Sequence, residues 1–304
     1  MTTERSRPSA AEAHPDVFDQ TSTIIDRFHL WIDRDIPNDG TALGVVKAAI
    51  LVRAFNQYRS INNLLRDNHW EDGLILVRSL FELLLHTEEL LRARDPEGAA
   101  ARFFAFSQLQ RYLEWKELEL YQVATRRAGR ETEERVARAD AEARRVYGQF
   151  WFIDKKGKGR WRESWCNKKV ADLVALSSNP IRPHQHRLLY GRGSSFTHSS
   201  PVAVFATMHH MDEPNDLAKL TGRVDALEER ELRLVGSMAS VFLLELAALI
   251  GDRLPDFDPL WLANEGTRLI SRILRVPVFL PTIRREDDPA RQDLADDLPT
   301  SIGG

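Results

Sequence analysis

Apolar side chains recur along most of this chain every three to four residues, which is the spacing of one face of an α-helix. Short polar breaks such as Pro37-Asn38-Asp39-Gly40 and Asp95-Pro96 separate the stretches that have this spacing. No stretch alternates apolar and polar positions with a period of two, and no internal repeat is visible. The pattern therefore predicts an all-α protein, an irregular multi-helix bundle with long helices and disordered termini.

The polar breaks also predict where the helices begin and end. We expect helices at about 15–35, 42–67, 70–95, 97–127, 131–147, 167–176, 183–199, 215–252 and 257–274. The first residues are polar, and the last are acidic and interrupted by proline and glycine. We predict a disordered N-terminus over residues 1–14, a single helical domain over 15–275 and a flexible acidic tail over 276–304.

The helix expected to begin at Trp70 carries charged residues inside an apolar run. Arg78 and Glu82 are four residues apart and therefore share one face, which His86 continues. Arg and Glu are rarely fully buried unless they are paired. Two interpretations remain open. Glu82 orients Arg78 to bind an anion such as a phosphate, or the two form a buried salt bridge that fixes the helix register.

A second polar segment runs from Tyr190 to His198. On a continuous helix Tyr190, Ser194 and His198 share a stripe that offers a phenol, a hydroxyl and an imidazole. Histidine is the side chain best suited to move protons near neutral pH. The segment predicts either an acid–base site or a structural polar network that satisfies Arg78 and Glu82.

Two glycines interrupt this second segment. Inside a helix, Gly191 and Gly193 each cost about 1 kcal/mol relative to alanine. We therefore expect either a break in the helix or a close approach that the glycines permit.

The stretch 151–169 is basic and rich in tryptophan. Its lysines and arginines are interleaved with Trp151, Trp161 and Trp165. This combination is typical of surfaces that bind single-stranded nucleic acid, which makes Trp161 a candidate binding residue. The alternative is a solvated loop whose tryptophans anchor it to the core.

Charge and cysteine content indicate the compartment and the kinds of partner to expect. The net charge of −3 gives no overall attraction to nucleic acid or to membranes. The single cysteine, Cys166, suits a reducing compartment, and the first 13 residues contain no apolar signal core. The apolar run Val235–Gly251 is shorter than the roughly 20 residues of a membrane span and contains Glu245, which favours a buried helix. We expect a cytoplasmic protein with no membrane partner.

The sequence contains none of the common metal or cofactor motifs. There is no His-Glu-x-x-His, no Cys-x-x-Cys, no phosphate-binding Walker loop and no dinucleotide glycine motif. We therefore expect neither a metal nor a cofactor. A Gly-x-Ser-x-Gly nucleophile turn is also missing, which argues against a serine hydrolase.

Four segments, taken in order, resemble a bacterial family of helical domains of unknown function, numbered five-six-seven-seven. These segments are Arg59–Leu65, Gly73–Glu82, Trp161–Ser164 and Tyr190–His198. The resemblance extends over about residues 45–210. It implies an all-helical domain without a settled activity. The positions that would carry it are Arg78, Glu82, Tyr190, Ser194 and His198.

A looser resemblance is to the helical ribonucleases called HEPN proteins, whose signature is an Arg followed at short distance by a His. Arg192 and His198 are separated by five residues, which fits that signature, although Gly193 follows the Arg where those proteins usually have a polar residue. The resemblance implies metal-independent RNA cleavage, in which Arg192 stabilises the phosphate and His198 acts as acid or base.

Two function hypotheses follow. The first is a HEPN-like ribonuclease, or a protein that binds RNA or a nucleotide, in a defence or stress system. Its catalytic residues would be His198, Arg192 and Glu82, and its binding residues Arg78, Tyr190, Ser194 and Trp161. The second is a non-catalytic binding or scaffold module, in which the Arg/Glu/His cluster is structural and the helix 131–147 is a binding surface. An apolar face left uncovered would indicate a homodimer.

Overall fold

The computed structural model describes residues 10–35, 39–125, 127, 129–197, 217–251 and 267–274. Within these ranges the helices are α1 Ala10–Ala13, α2 Pro15–Asp35, α3 Ala42–Arg66, α4 Trp70–Arg92, α5 Pro96–Ala124, α6 Arg130–Val146, α7 Val170–Leu176, α8 Arg182–Thr197, α9 Leu217–Gly251 and α10 Thr267–Leu274. The strands β1 Trp151–Ile153 and β2 Gly159–Trp161 form an antiparallel hairpin after α6.

The prediction of an all-α fold is confirmed, and the hairpin is a small local departure from it. Each strand has three residues, which is too short to produce a visible alternation in the sequence. Asp154 fixes the turn by accepting hydrogen bonds from the backbone N–H groups of Lys156 and Lys158, at 2.8 and 2.9 Å. Gly157 supplies a φ of +73°, which favours glycine.

Side-chain caps set the starts of α3 and α5. Thr41 Oγ1 accepts from the Gly44 N–H at 2.9 Å, and Asp95 Oδ1 accepts from the Gly98 N–H at 3.0 Å. The Glu97 carboxylate also reaches the N-terminus of α3 and accepts from its first N–H groups. A negative charge at the positive end of a helix dipole is stabilising, so this contact joins the starts of the two helices.

The core lies between α3, α4 and α9. Phe81 of α4 and Phe242 of α9 are fully buried, with ring centroids 5.2 Å apart. By length and composition the part of α9 from Glu229 to Gly251 could cross a membrane, but 72% of its most apolar window is buried inside the fold. A core helix has these same properties, so the segment is weak evidence for a span.

Helix α6 packs back onto α5 of the same chain. Val136 and Ala143 are its buried residues. Asp140 accepts hydrogen bonds from Tyr112 Oη at 2.9 Å and Lys116 Nζ at 2.5 Å, both on α5. The polar helix that the sequence offered as a binding surface therefore has one face covered by its own chain.

The expected domain limits are only partly described. Residues 10–13, within the segment predicted to be disordered, form α1. Residues 1–9 and the expected acidic tail 276–304 lie outside the described residues. The division of the chain into one domain and two tails stays a prediction.

Candidate functional site

Helices α4 and α8 run antiparallel and bring two polar clusters together. Arg182 near the start of α8 contacts Glu88 in the later part of α4, whereas Tyr190 further along α8 contacts Glu82, earlier on α4. Arg182, His186 and Tyr190 follow one another at intervals of four residues, so they lie along one face of α8.

The first cluster, here called the α4–α8 cluster, consists of Arg78, Glu82, His186 and Tyr190. Arg78 Nε donates to Glu82 Oε1 at 3.2 Å, and the Tyr190 hydroxyl donates to the same oxygen. The Arg78 guanidinium carbon lies 3.9 Å from the centroid of the Tyr190 ring, which is a cation–π contact. The His186 ring lies beside the Tyr190 ring, with centroids 4.3 Å apart.

The Arg78–Glu82 pair is half-buried at the protein surface. The side chains of Arg78 and Glu82 are 26% and 34% exposed. The salt bridge between the two residues is therefore formed, and it is half-buried rather than buried. The apolar residues next to the pair in the sequence lie on other faces of α4, and those faces pack against α3 and α9. The polar stripe itself faces α8.

Burial and charge set the protonation of the cluster. Burial, together with the hydrogen bond to Glu82, raises the pKa of Tyr190 to about 12, so its phenol keeps its proton at neutral pH. Burial opposes the charge of Arg78, but Tyr190 and Glu82 outweigh it and raise the Arg78 pKa. Burial, and then the charge of Arg78, lower the pKa of His186, which keeps that imidazole neutral. A cationic guanidinium thus stands beside a neutral proton acceptor.

His86 continues the Arg78–Glu82 stripe, as predicted, but serves a different neighbour. Its Nδ1 accepts a hydrogen bond of 3.1 Å from Trp165 Nε1. Burial lowers the pKa of His86, although Glu82 and Glu89 act in the opposite direction. The Trp165 ring also packs edge-on against Phe103, at 5.7 Å. Trp165 therefore fastens the segment after the hairpin to α4 and α5.

The second cluster is a buried charged triad that the sequence analysis missed. Arg182 is 2% exposed, and its Nε and Nη2 donate to Glu88 Oε1 at 2.9 and 2.6 Å. Its Nη1 donates to Glu245 Oε2 on α9, at 2.7 Å. Burial raises the pKa of Glu245, although Arg182 acts against this shift. Glu245 is the residue that could have indicated this cluster from the sequence. It is a lone carboxylate in an apolar run, and such a carboxylate needs a buried cation as its partner.

The other predicted site residues are only partly described. Arg192 and Ser194 lie within α8, but their side chains, and all of His198, are outside the described residues. Trp161 is half-buried and lies edge-on to Trp151, with ring centroids 4.9 Å apart. The functional roles assigned to these four residues stay predictions.

The described residues include no group of three or more His, Cys, Asp or Glu side chains that could hold a metal ion. What the α4–α8 cluster offers chemically is anion binding. A guanidinium that is oriented by a carboxylate and supported by an aromatic ring is a typical ligand of phosphate groups.

Comparison with models of protein families gives a match. The family model described as Family of unknown function (DUF5677) matches residues 45–217, more than half of the 304-residue chain. This region contains α4, the hairpin and α8, and therefore the whole α4–α8 cluster. The curated proteins and the solved structures yielded no match. The match confirms the resemblance found in the sequence, and the chain belongs to the DUF5677 family.

Proposed function

We propose that this protein binds a phosphate-bearing ligand, RNA or a nucleotide, at the α4–α8 cluster. The observation that carries the proposal is the support of Arg78 from two sides. Glu82 holds its Nε, and the ring of Tyr190 lies under its plane. Because the side chain is partly exposed, ligand can reach it, and because it is already oriented, little conformational entropy is lost on binding.

The free edge of the guanidinium supports the same proposal. Among the described residues, Glu82 is the one carboxylate that forms an ion pair with Arg78, and it does so through Nε. No hydrogen bond joins either Nη group to a carboxylate in the described part of the chain, although the Tyr190 hydroxyl also interacts with the guanidinium. A phosphate can accept from both of them in the paired geometry that guanidinium groups favour.

Binding of a labelled RNA strand and of a labelled nucleoside triphosphate tests this proposal. We expect Arg78→Ala to weaken binding about tenfold or more, because a hydrogen bond to a charged group contributes roughly 1.5–3 kcal/mol. Arg130→Ala is the matched control, because Arg130 forms the same Nε pair with Glu134, four residues on, at 3.1 Å on the surface of α6. Equal affinity in wild type and Arg78→Ala, with equal melting temperatures, would exclude the site.

A more specific form of the proposal is that the protein cleaves the RNA that it binds. Helix α8 carries Arg192 and ends at Thr197, so His198 directly follows it in the chain. His198 would take the proton of a ribose 2′-hydroxyl as that oxygen bonds to phosphorus. The bond from phosphorus to the 5′-oxygen then breaks, and this oxygen takes a proton from water, whose hydroxide takes the proton that His198 holds. The products are a 2′,3′-cyclic phosphate and a 5′-hydroxyl, and Arg192 would stabilise the charge on phosphorus.

Cleavage is measured on RNA in the presence of a chelator. We expect His198→Ala to lower the rate by about 10²–10⁴-fold, the usual contribution of a general base. His184→Ala is the control, because His184 is an exposed histidine on the same helix. Unchanged cleavage in His198→Ala, or cleavage that the chelator abolishes, would refute this form while leaving the binding proposal to its own test.

The second candidate is a non-catalytic module in which the cluster is structural. The observation in its favour is that Glu82 Oε1 already accepts from both Arg78 and Tyr190, so the cluster joins α4 to α8 without a ligand. It predicts that Arg78→Ala lowers the melting temperature and that wild type binds neither probe.

A further inference from the structure

The β1–β2 hairpin has two different faces. Its register pairs Trp151 with Trp161, Phe152 with Arg160 and Ile153 with Gly159. Successive residues of a strand point to opposite sides. The two tryptophans and Ile153 therefore belong to one face, here called the tryptophan face, and Phe152 and Arg160 belong to the other, here called the phenylalanine face.

The tryptophan face is largely used inside the protein. The Trp151 ring lies directly on Gly159, where a Cβ atom would be 2.1 Å from the ring. Trp161 lies edge-on to Trp151, and the Arg144 guanidinium of α6 lies 4.6 Å from the Trp151 ring centroid. These rings are covered by their own chain and cannot stack on a ligand without moving.

The phenylalanine face is open. Phe152 is 39% exposed, and the Arg162 guanidinium lies 5.9 Å from its ring centroid. Arg160, opposite Phe152 on β2, is 59% exposed and pairs with Asp154 at 2.8 Å. An exposed aromatic ring beside the Arg162 guanidinium, with Arg160 opposite it on the paired strand, has the features of a platform for a nucleic-acid base.

The hairpin is strongly basic in a protein that is acidic overall. Over residues 151–162 it has five cationic side chains, Lys155, Lys156, Lys158, Arg160 and Arg162, and the single carboxylate of Asp154, which gives +4 against −3 for the whole chain. The three lysines are exposed and form no ion pair within the described part of the chain. This local charge is complementary to a polyanion.

We propose that the β1–β2 hairpin is a binding site for single-stranded nucleic acid, in which a base stacks on Phe152 and the neighbouring phosphates contact the lysines of the turn. This site is separate from the α4–α8 cluster, and its existence does not depend on phosphate binding at Arg78. The structure also changes which aromatic residue is expected to bind, because Phe152 is open where the tryptophans are covered.

An anionic membrane surface is the other partner that a basic, partly apolar hairpin could attract. The geometry argues against it. The two exposed apolar residues, Phe152 and Ile153, are adjacent on one strand and point to opposite faces. A flat lipid surface could therefore receive one of them but not both.

The test is the anisotropy of labelled single strands of about ten nucleotides, as RNA, as DNA and as an abasic DNA strand. We expect Phe152→Ala to weaken binding of the strands that carry bases about tenfold, since stacking on one ring contributes roughly 1–3 kcal/mol. It should leave the weaker binding of the abasic strand unchanged. RNA and DNA bound alike would indicate recognition of bases and phosphates, and preference for RNA would add a contact to the 2′-hydroxyl.

Ile153→Ala is the matched control. Ile153 is the next residue on the same strand and is more exposed, at 63%, but it lies on the tryptophan face. We expect its affinity to equal that of wild type. A Phe152→Tyr variant keeps the ring and should bind as wild type does. It shows whether the effect of Phe152→Ala comes from loss of the ring or from a general loss of hairpin structure. A triple variant, in which Lys155, Lys156 and Lys158 become Gln, should bind weakly and with a smaller dependence on salt.

The outcomes separate this proposal from the one for the α4–α8 cluster. Loss of strand binding in Phe152→Ala but not in Arg78→Ala supports the hairpin site and counts against the cluster. Equal strand affinity in Phe152→Ala, Ile153→Ala and wild type overturns the hairpin site. Binding of phosphatidylserine vesicles, with no binding of any strand, also overturns it and assigns the surface to a membrane.

Discussion

Tyr190 of α8 and Arg78 of α4 donate hydrogen bonds to the same oxygen, Oε1 of Glu82, while the Arg78 guanidinium lies over the Tyr190 ring. One carboxylate therefore holds the two helices together and also orients a cation at the protein surface. The two interpretations offered by the sequence, an anion site and a structural network, involve the same three side chains. Variants that remove one contact at a time can separate them.

Tyr190→Phe removes the hydroxyl and keeps the ring under Arg78. We expect a loss of about 1 kcal/mol in the free energy of unfolding, because Glu82 loses one of its two donors. Urea denaturation measures it. Tyr121→Phe is the control, because Tyr121 is an exposed residue of α5. If phosphate binding needs only the supported guanidinium, ligand affinity in Tyr190→Phe should stay within a few-fold of wild type. Equal stability of both variants would show that the hydroxyl bond contributes nothing to helix packing.

The sequence was sufficient to predict the features that depend on neighbouring residues. Helical spacing and the breaks at Pro37–Gly40 and Asp95-Pro96 predicted the bounds of α2 to α4 to within a few residues, because periodicity and helix-breaking residues are local. The Arg78–Glu82 pair could be predicted for the same reason, since four residues make one helical turn.

Features that depend on how helices dock could not be predicted. Arg182 finds Glu88 and Glu245 at separations of 94 and 63 residues, and no local pattern specifies such partners. The partial exposure of the Arg78 and Glu82 side chains also depends on how the helices pack, because α8 partly covers the two residues on α4. The hairpin escaped prediction because three residues per strand give no periodic signal.

Arg182→Met should be strongly destabilising. It removes the buried cation and leaves two carboxylates, Glu88 and Glu245, close together without compensation. Removing one partner of a buried ion pair typically costs about 3–5 kcal/mol. Arg187→Met on the same helix is the control, because Arg187 is exposed and its loss should stay within about 0.5 kcal/mol.

One further variant makes the Arg182 prediction specific to charge. Combining Arg182→Met with Glu88→Gln and Glu245→Gln should recover part of the lost stability, because the excess negative charge is removed. Chemical denaturation measures all four proteins. A cost below about 1 kcal/mol for Arg182→Met, or no recovery in the triple variant, would show that the triad does not hold α8 to α4 and α9.

His86 predicts an acid-sensitive contribution to stability. Burial lowers its pKa in the folded protein below the ordinary value of 6.5. As the pH falls below 6.5, the unfolded chain binds a proton that folded His86 still resists, so the free energy of unfolding decreases. This contribution is fully present above pH 6.5 and is lost as the pH falls toward the lower, folded-state pKa.

The measurement is the free energy of unfolding of wild type and His86→Gln between about pH 7 and pH 5. We expect the variant to be less stable at pH 7, because the glutamine amide does not fill the place of the imidazole ring beside Trp165, but to depend less on pH. His184→Gln, at an exposed position on α8, is the matched control. An unchanged slope in His86→Gln would assign the acid sensitivity to other groups, among them His186, whose pKa is also lowered.

Gly159→Ala and Gly191→Ala should have opposite effects. At Gly159 a Cβ atom would be 2.1 Å from the Trp151 ring, so the ring must leave its place. Such overpacking typically costs about 1–3 kcal/mol, and the tryptophan emission should shift as Trp151 becomes exposed.

Gly191 lies on the exposed side of a continuous α8, and no described atom is within 4 Å of its Cβ position. The helix is continuous at Gly191 and no described atom makes a close approach there, so alanine should stabilise it by up to about 1 kcal/mol. Thermal unfolding followed by circular dichroism and by tryptophan fluorescence distinguishes the two. Destabilisation by Gly191→Ala would mean that a part of the chain outside the described residues approaches α8 at this point, which would bring that segment close to Tyr190 and the α4–α8 cluster.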